Sequence, residues 1–311
     1  MMSSIYETGV QATAGQQAGS TLAEPGPSTG NAALLAWPAD SPHLRRRARR
    51  LSLELGLPVL ENSLGEGRAV VLVTHQGLAL GASAECRWHG LQAAYLPDLT
   101  ALQVGSPARG GIDQPLVKAL ASQKRRRERL TVCDAMAGFG EDAWLMAGLG
   151  HRVVCIERSP AVFAVLRDAW SRAELLQPGI ALRVRPILAE AAEVLVSINQ
   201  RRSALGTACL HGPEPLLPRP DVVYLDPMFP LPRKKRRAER KAMQVLRRHV
   251  LAEAGEGQEE AILSLALRTA NDRVVVKRPL RAAPLASGDI QPTHRVPGKS
   301  VRYDIYLSKH S

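Results

Sequence analysis

Leu130-Thr-Val-Cys-Asp134-Ala-Met-Ala-Gly138-Phe-Gly140-Glu-Asp-Ala143 decides the fold. It opens with a short apolar, β-prone run and passes through two glycines. It then enters a helix-compatible stretch from Ala143 to about Leu149. Gly150 stops that helix, as a glycine just past a helix end does. Strand, Gly-x-Gly-x-x-Ala turn and helix, in that order, have the form of a nucleotide-binding turn, where glycines let backbone N–H groups approach a ligand. A second strand, Arg152-Val-Val-Cys-Ile156, ends in Glu157, nineteen residues after Gly138. That is near the spacing at which an acid accepts ribose hydroxyl protons, a charge-assisted bond that an amide makes less well. A plain turn followed by a surface glutamate would share these residue types, and the order of elements disfavours it.

Downstream, Ser159-Pro160 caps a helix running to about Leu176, with Pro at the first helical position. Leu182-Arg-Val184 reads as a third strand and 196–220, with four prolines, as a loop-bearing connection. Asp221-Val-Val-Tyr-Leu225 is a fourth strand that ends in Asp226-Pro-Met-Phe-Pro230. Helices are expected over 240–253 and 259–270, and closing strands over 272–277 and 301–307. Strands alternating with helices imply an α/β fold with a doubly wound, Rossmann-like sheet.

Upstream, residues 1–31 are rich in Gly, Ala, Ser, Thr, Gln and Pro without periodicity and read as a disordered tail. Residues 32–104 read as a small α+β N-terminal subdomain. It would hold strands at 33–37 and 69–74 and a basic helix at 44–56, followed by the stretches Gly77 to Ala82 and Ala94-Tyr-Leu-Pro97. Pro107-Ala-Arg-Gly-Gly111 punctuates the chain, and a helix is expected from Gln114 to about Lys124. Residues 105–311 then form the larger domain.

The 311 residues carry 41 Lys+Arg against 29 Asp+Glu, a formal charge of +12, and all the Lys and Arg lie after residue 31. This balance suits a polyanionic partner, nucleic acid or an anionic membrane surface. No run approaches the ~18–20 apolar residues of a membrane span, and no secretory signal is read at the N-terminus. Cys86, Cys133, Cys155 and Cys209 are far apart and form no C-x-x-C pair. Buried thiols in a cytoplasmic protein without a metal site are therefore expected.

The glycine turn does not name its nucleotide, but Asp134 narrows the choice. A carboxylate four residues before Gly138 repels a pyrophosphate and can pair with a cationic ammonium. S-adenosylmethionine brings an ammonium, a sulfonium and no phosphate. D-x-x-x-G-x-G followed by a later acid is the usual pattern of class I S-adenosylmethionine-dependent methyltransferases. Glu141 and Asp142 add negative charge beside it, and a nicotinamide dinucleotide enzyme is the runner-up. Open α/β sheets bind ligands at the carboxyl ends of their strands, so Asp226 should face the same crevice as Gly138 and Glu157. Asp226-Pro-Met-Phe229 resembles the (D/N)-P-P-(F/Y) loop of methyltransferases that act on exocyclic amines, with Met228 replacing the second proline. Such an amine is a poor nucleophile because its lone pair is delocalised into the ring. Asp226 would accept its protons and orient it, and Phe229 would stack on the extruded base, a contact worth ~1–3 kcal/mol.

Three basic runs, Arg45 to Arg50, Lys124 to Arg129 and Arg233-Lys234-Lys235-Arg236-Arg237, are either solvated faces or phosphate contacts. The last lies three residues beyond Pro230, at the expected rim of the pocket, where it would neutralise phosphates flanking a target base. Lys277, Arg278 and Arg302 add cations near other strand ends. With only twelve aromatics, a stacking sheet of the RNA-recognition type is unsupported.

Five blocks together resemble one family. Asp134 to Ala143, Gly150-His-Arg-Val-Val-Cys-Ile-Glu-Arg158, Val222-Val-Tyr-Leu-Asp-Pro-Met-Phe-Pro230, Arg273-Val-Val-Val-Lys-Arg-Pro279 and Arg302-Tyr-Asp-Ile-Tyr306 are similar to the bacterial 16S ribosomal RNA guanine-N2 methyltransferase J family. The resemblance spans about 60–307 and is strongest from Leu130 onward. It implies a class I methyltransferase using S-adenosylmethionine to methylate the N2 amine of one guanine in 16S rRNA of the small ribosomal subunit. Carried over position by position, the family's cofactor residues fall on Glu141 and Asp142, on Glu157 and Arg158, and on Asp226. A further pair, often Ser-Ser, falls on Glu190 and Ala191, a departure that leaves backbone contact or the Glu190 carboxylate. Glu141 also departs from the family's usual Arg, and Gly110-Gly111 matches a glycine-rich loop preceding the sheet. A monomer is expected. Two alternatives stay open: an exocyclic-amine methyltransferase acting on DNA adenine or on protein, and a non-catalytic RNA-binding relative.

Overall fold

A computed structural model of the protein describes residues 32–60, 69–82, 94–102, 114–200, 218–227, 258–285 and 290–308. The expected tail, Gly110-Gly111, Met228-Phe229-Pro230, the run Arg233 to Arg237 and the helix over 240–253 lie outside them.

The larger sheet holds seven strands: β4 (Thr131–Asp134), β5 (Arg152–Glu157), β6 (Val184–Leu188), β7 (Val222–Leu225), β8 (Arg273–Pro279), β9 (His294–Pro297) and β10 (Val301–Leu307). Their order is β6-β5-β4-β7-β8-β10-β9. The first five run parallel, and β10 enters antiparallel between β8 and β9. Strand residues alternate between two faces with period two. Val132, Val153, Cys155, Val222, Tyr224 and Val275 pack toward α3 (Glu141–Gly148) and α4 (Pro160–Leu176). Cys133, Ile156, Val223, Leu225, Val274 and Val276 pack toward α6 (Ala191–Gln200) and α7 (Gln258–Thr269). This is the doubly wound arrangement expected. Because β4, β5 and β7 are parallel neighbours, Asp134, Glu157 and Asp226 arrive at the same sheet edge.

A second sheet, β1 (Ala32–Ala36), β2 (Ala69–Val73) and β3 (Leu78–Ala82), pairs β1 parallel to β2 through α1 (Pro42–Leu55) and β3 antiparallel to β2. In α1, Ser41 accepts the Leu44 N–H and Gly56 closes the helix at φ 68°. The buried stripe Leu44, Ala48, Leu51 and Leu55 has helical spacing. Its core is continuous with that of the larger sheet, since Leu34, Leu44, Val71 and Leu80 cluster with Phe139 and Phe163.

Three local readings are corrected. The third strand begins at Val184 and not at Leu182, which is exposed in a turn after the short α5 (Pro178–Ala181). Pro186 hides this strand from a propensity reading, yet β6 is an edge strand, where a missing N–H is tolerated. Helix α2 (Pro115–Leu120) ends at Ala121, so that Arg125 can reach Glu128, Asp221 and Asp272 at 2.7–3.2 Å. Edge strand β9 escapes notice because it is polar and mostly exposed.

Asp168 on α4 joins the two sheets. It accepts from Arg47 on α1 at 2.5 Å, from the Leu78 N–H at 2.9 Å and from Arg172 at 2.9 Å. Asp168→Ala strands these donors and is expected to cost about 2–3 kcal/mol. Urea unfolding checks this, and an unchanged midpoint would remove Asp168 as the latch.

Candidate functional site

Gly138 and Gly140 adopt φ 55° and 75°, the left-handed region that L side chains avoid. Gly140 is also hemmed in, since an added Cβ would lie 2.4 Å from Leu166 Cδ1. The turn they form delivers Glu141 and Asp142 to the first turn of α3, where acids suit the helix dipole. It is braced from β5, because Glu157 accepts the Gly138 N–H at 3.0 Å and the Ser159 N–H at 2.8 Å. Burial raises the Glu157 carboxyl to about 7, with those N–H bonds opposing the shift.

Asp134 is 1% exposed and, among the described residues, accepts a single hydrogen bond, from the Met136 N–H at 3.3 Å. Burial first, then the neighbouring Asp142, push its carboxyl well above the usual range. A buried carboxylate this poorly satisfied, with Asp142 and Asp226 beside it, is a place for a cation. The crevice therefore suits a ligand with a positive charge and hydroxyl groups better than a pyrophosphate, which the acids would repel.

Lys277, on β8, sits inside this cluster. Its Nζ donates to Asp142 Oδ2 at 2.7 Å and to Asp226 Oδ2 at 2.9 Å. Burial disfavours its charge, but Asp142 and Asp226 outweigh that and hold its pKa well above the ordinary value. The Tyr224 hydroxyl donates to the same Asp142 oxygen at 2.7 Å. Burial and Asp142 raise the Tyr303 phenol as well. Lys277, a candidate for phosphate contact in the sequence, is thus engaged by two carboxylates inside the crevice. Arg278 and Arg302 are likewise spent on the fold. Arg302 pairs with buried Asp304 at 2.7 Å, and Arg278 donates to the Ala283 carbonyl at 3.0 Å.

The other expected positions fall around the same edge. Arg158 follows β5 and is partly buried. Glu190 is exposed beyond β6, its carbonyl accepting the Val194 N–H at the start of α6, and Ala191 follows. Three tyrosines went unnoticed. Tyr224 could have been found, because it shares parity with Asp226 along one chain. Tyr303 faces Lys277 across the β8–β10 register. Tyr95 carries no local signal. It comes from the smaller sheet, where it pairs with Leu80, and donates to Glu141 Oε1 at 2.7 Å. Its ring tilts against Phe139 of the glycine turn, centroids 4.9 Å apart.

Burial pushes the Cys133 thiol up to about 12 and raises that of Cys155, which makes both poor nucleophiles. Among the described residues no cluster of His, Cys, Asp and Glu could hold a metal ion, and no helix is long and apolar enough to cross a membrane.

Residues 60–308 match a family model described as SAM-dependent methyltransferase, SAM being S-adenosylmethionine. Curated relatives called ribosomal RNA small subunit methyltransferase J include one from Thioalkalivibrio sulfidiphilus, 34% identical over 86% of this chain and 95% of its own. Another, from Halorhodospira halophila, is 36% identical over 81% and 86%. The crystal structure of a SAM-dependent methyltransferase from Neisseria gonorrhoeae aligns at TM-score 0.59 and 27% identity, covering 89% of this chain and 97% of that one.

Gly140→Ala is expected to cost about 1–2 kcal/mol in left-handed strain and to weaken S-adenosylmethionine binding at least tenfold by displacing α3. Thermal unfolding and calorimetry check the two effects, and wild-type values in both would show that the turn tolerates a side chain.

Proposed function

We propose, from the premise that the chain belongs to the SAM-dependent methyltransferase family of the ribosomal RNA small subunit methyltransferase J proteins, that it methylates the exocyclic N2 amine of a guanine in 16S rRNA. The observation that carries this reading is Asp226. It ends β7 beside the acidic crevice, ion-paired to Lys277, and opens the Asp-Pro-Met-Phe string.

S-adenosylmethionine, when bound, supplies a methyl group on a sulfonium, an intrinsically good leaving group. The protein's own task is mainly alignment and charge placement. In this reading Asp134 and Asp142 face the cofactor's positive charge and Glu157 accepts from its ribose hydroxyls. Glu141 and Arg158 flank those contacts, and the chain at Glu190 and Ala191 borders the base. Asp226 accepts hydrogen bonds from the target amine, localises its lone pair and is the adjacent acceptor for the proton shed on methylation. Phe229 would stack on the guanine.

A cationic surface for the RNA backbone is available apart from Arg233 to Arg237. Arg45, Arg46, Arg49 and Arg50 are exposed along one side of α1, while Arg47 between them is committed to Asp168. Their spacing gathers positive charge on one helical face, where phosphates would be neutralised.

Asp226→Ala is expected to lower methyl transfer by about a hundredfold or more with the fold retained by circular dichroism. Nucleoside mapping of small-subunit rRNA from a deletion strain should lose N2-methylguanosine. Unchanged N2-methylguanosine would overturn the substrate, and full activity of the variant would overturn the role of Asp226. Methylation of DNA adenine or protein instead, or no binding of S-adenosylmethionine, would establish one of the two alternatives.

Glu157 makes the reading pH-dependent. An acid held near 7 against an ordinary 4.5 binds more protons folded than unfolded between those values. Its contribution to stability is therefore lost as pH rises through about 7. Cofactor binding has the opposite sign, because the hydroxyls need the ionised form. Affinity for S-adenosylmethionine should rise with pH, by at most about tenfold per unit below 7, and level off above it. Calorimetry from pH 5.5 to 8.5 should find weaker binding without this slope in Glu157→Gln, and the same slope in the variant would reassign it.

A further inference from the structure

The methyl transfer described above leaves Lys277 without a task, yet it occupies the centre of the crevice. Its two acceptors come from different elements. Asp142 stands in the first turn of α3, next to the glycine turn, and Asp226 stands at the end of β7. One ammonium therefore spans from the cofactor side of the crevice to the amine side. The Tyr224 hydroxyl fixes the same Asp142 oxygen from β7, Tyr303 faces Lys277 from β10, and Asp134 ends the adjacent strand β4. These groups, with Asp142 and Asp226, are, among the described residues, the charged and titratable groups gathered around the ammonium.

Stability alone is a weak reason for this arrangement. The Lys277, Asp142 and Asp226 side chains remain 24%, 21% and 30% exposed, and partly exposed ion pairs add little to stability. Geometry is a stronger reason. Three carboxylates gathered at one edge repel one another and draw protons. A proton on Asp226 would occupy the acceptor that the target amine needs.

We propose that Lys277 is a positioning residue for the transfer, holding Asp226 ionised and in fixed register with Asp142 and the glycine turn. This role rests on the reading of Asp226 as the amine acceptor. It also explains why the cation is a lysine on a strand, since the rigid backbone of β8 sets its reach to both acids.

The test compares Lys277→Gln and Lys277→Arg by carboxyl carbon NMR titration of the unliganded protein, with Asp226→Asn and Asp142→Asn to assign the resonances. Methyl transfer to small-subunit RNA is measured across pH alongside. In Lys277→Gln the Asp226 midpoint should rise by about one unit or more. The maximal rate at pH 7 should fall at least tenfold, with partial recovery as pH is raised. Lys277→Arg should return the midpoint and most of the rate. An Asp226 midpoint in Lys277→Gln that matches wild type, or a pH profile of unchanged shape, would overturn the proposal. Absence of transfer by the wild-type protein would instead sink the functional reading and leave the titration to decide the electrostatic role of Lys277.

Discussion

Negative charge gathered at one edge of a parallel sheet is the constraint around which this protein is built. Parallel strands bring their carboxyl ends to a common edge, so Asp134, Glu157 and Asp226, each the last or next residue of its strand, arrive at that edge together. Asp142 joins them from the helix that the glycine turn launches. Burying such a set without compensation would cost several kcal/mol per charge. The molecule compensates in three ways. Backbone N–H groups satisfy Glu157, Lys277 bridges Asp142 and Asp226, and burial raises the Asp134 carboxyl well above the usual range, which disfavours its charge. The site is thus left short of positive charge in the way a sulfonium-bearing cofactor would relieve.

The smaller sheet belongs to the same argument. It shares a hydrophobic core with α3 and α4 and is latched through Asp168. From it, Tyr95 reaches the glycine turn twice, by a hydrogen bond to Glu141 and by ring contact with Phe139. A turn with two left-handed glycines is conformationally expensive to order. Contacts from outside the sheet that holds it reduce the number of states it must give up on binding. The N-terminal unit therefore braces the glycine turn as well as carrying exposed arginines on α1.

Legibility in the sequence followed the range of the interactions. The strand, turn and helix around Gly138 and the acids ending β4, β5 and β7 were readable because period-two burial and glycine conformation are local properties. Tyr224 was readable in principle, two residues before Asp226 on the same strand face. Lys277 was legible as a cation but its carboxylate partners were not, since they lie 135 and 51 residues away. Tyr95 was invisible for the same reason. β6 and β9 were blurred by Pro186 and by polarity, both of which an edge strand tolerates and a central strand would not.

The overall charge of +12 also takes on a different meaning once the cations are sorted by what they touch. Arg47, Arg125, Lys277 and Arg302 are committed to carboxylates of the protein itself, and Arg278 to a carbonyl. They hold the sheets together and balance the crevice, and they would add little to long-range attraction. Attraction for a polyanion then falls mainly to exposed cations, among which Arg45, Arg46, Arg49 and Arg50 of α1 lie on one helical face. The same charge type does two jobs in this protein, and burial separates them: cations drawn inward pair with the protein's own acids and carbonyls, and exposed ones can contribute to attraction for a polyanion.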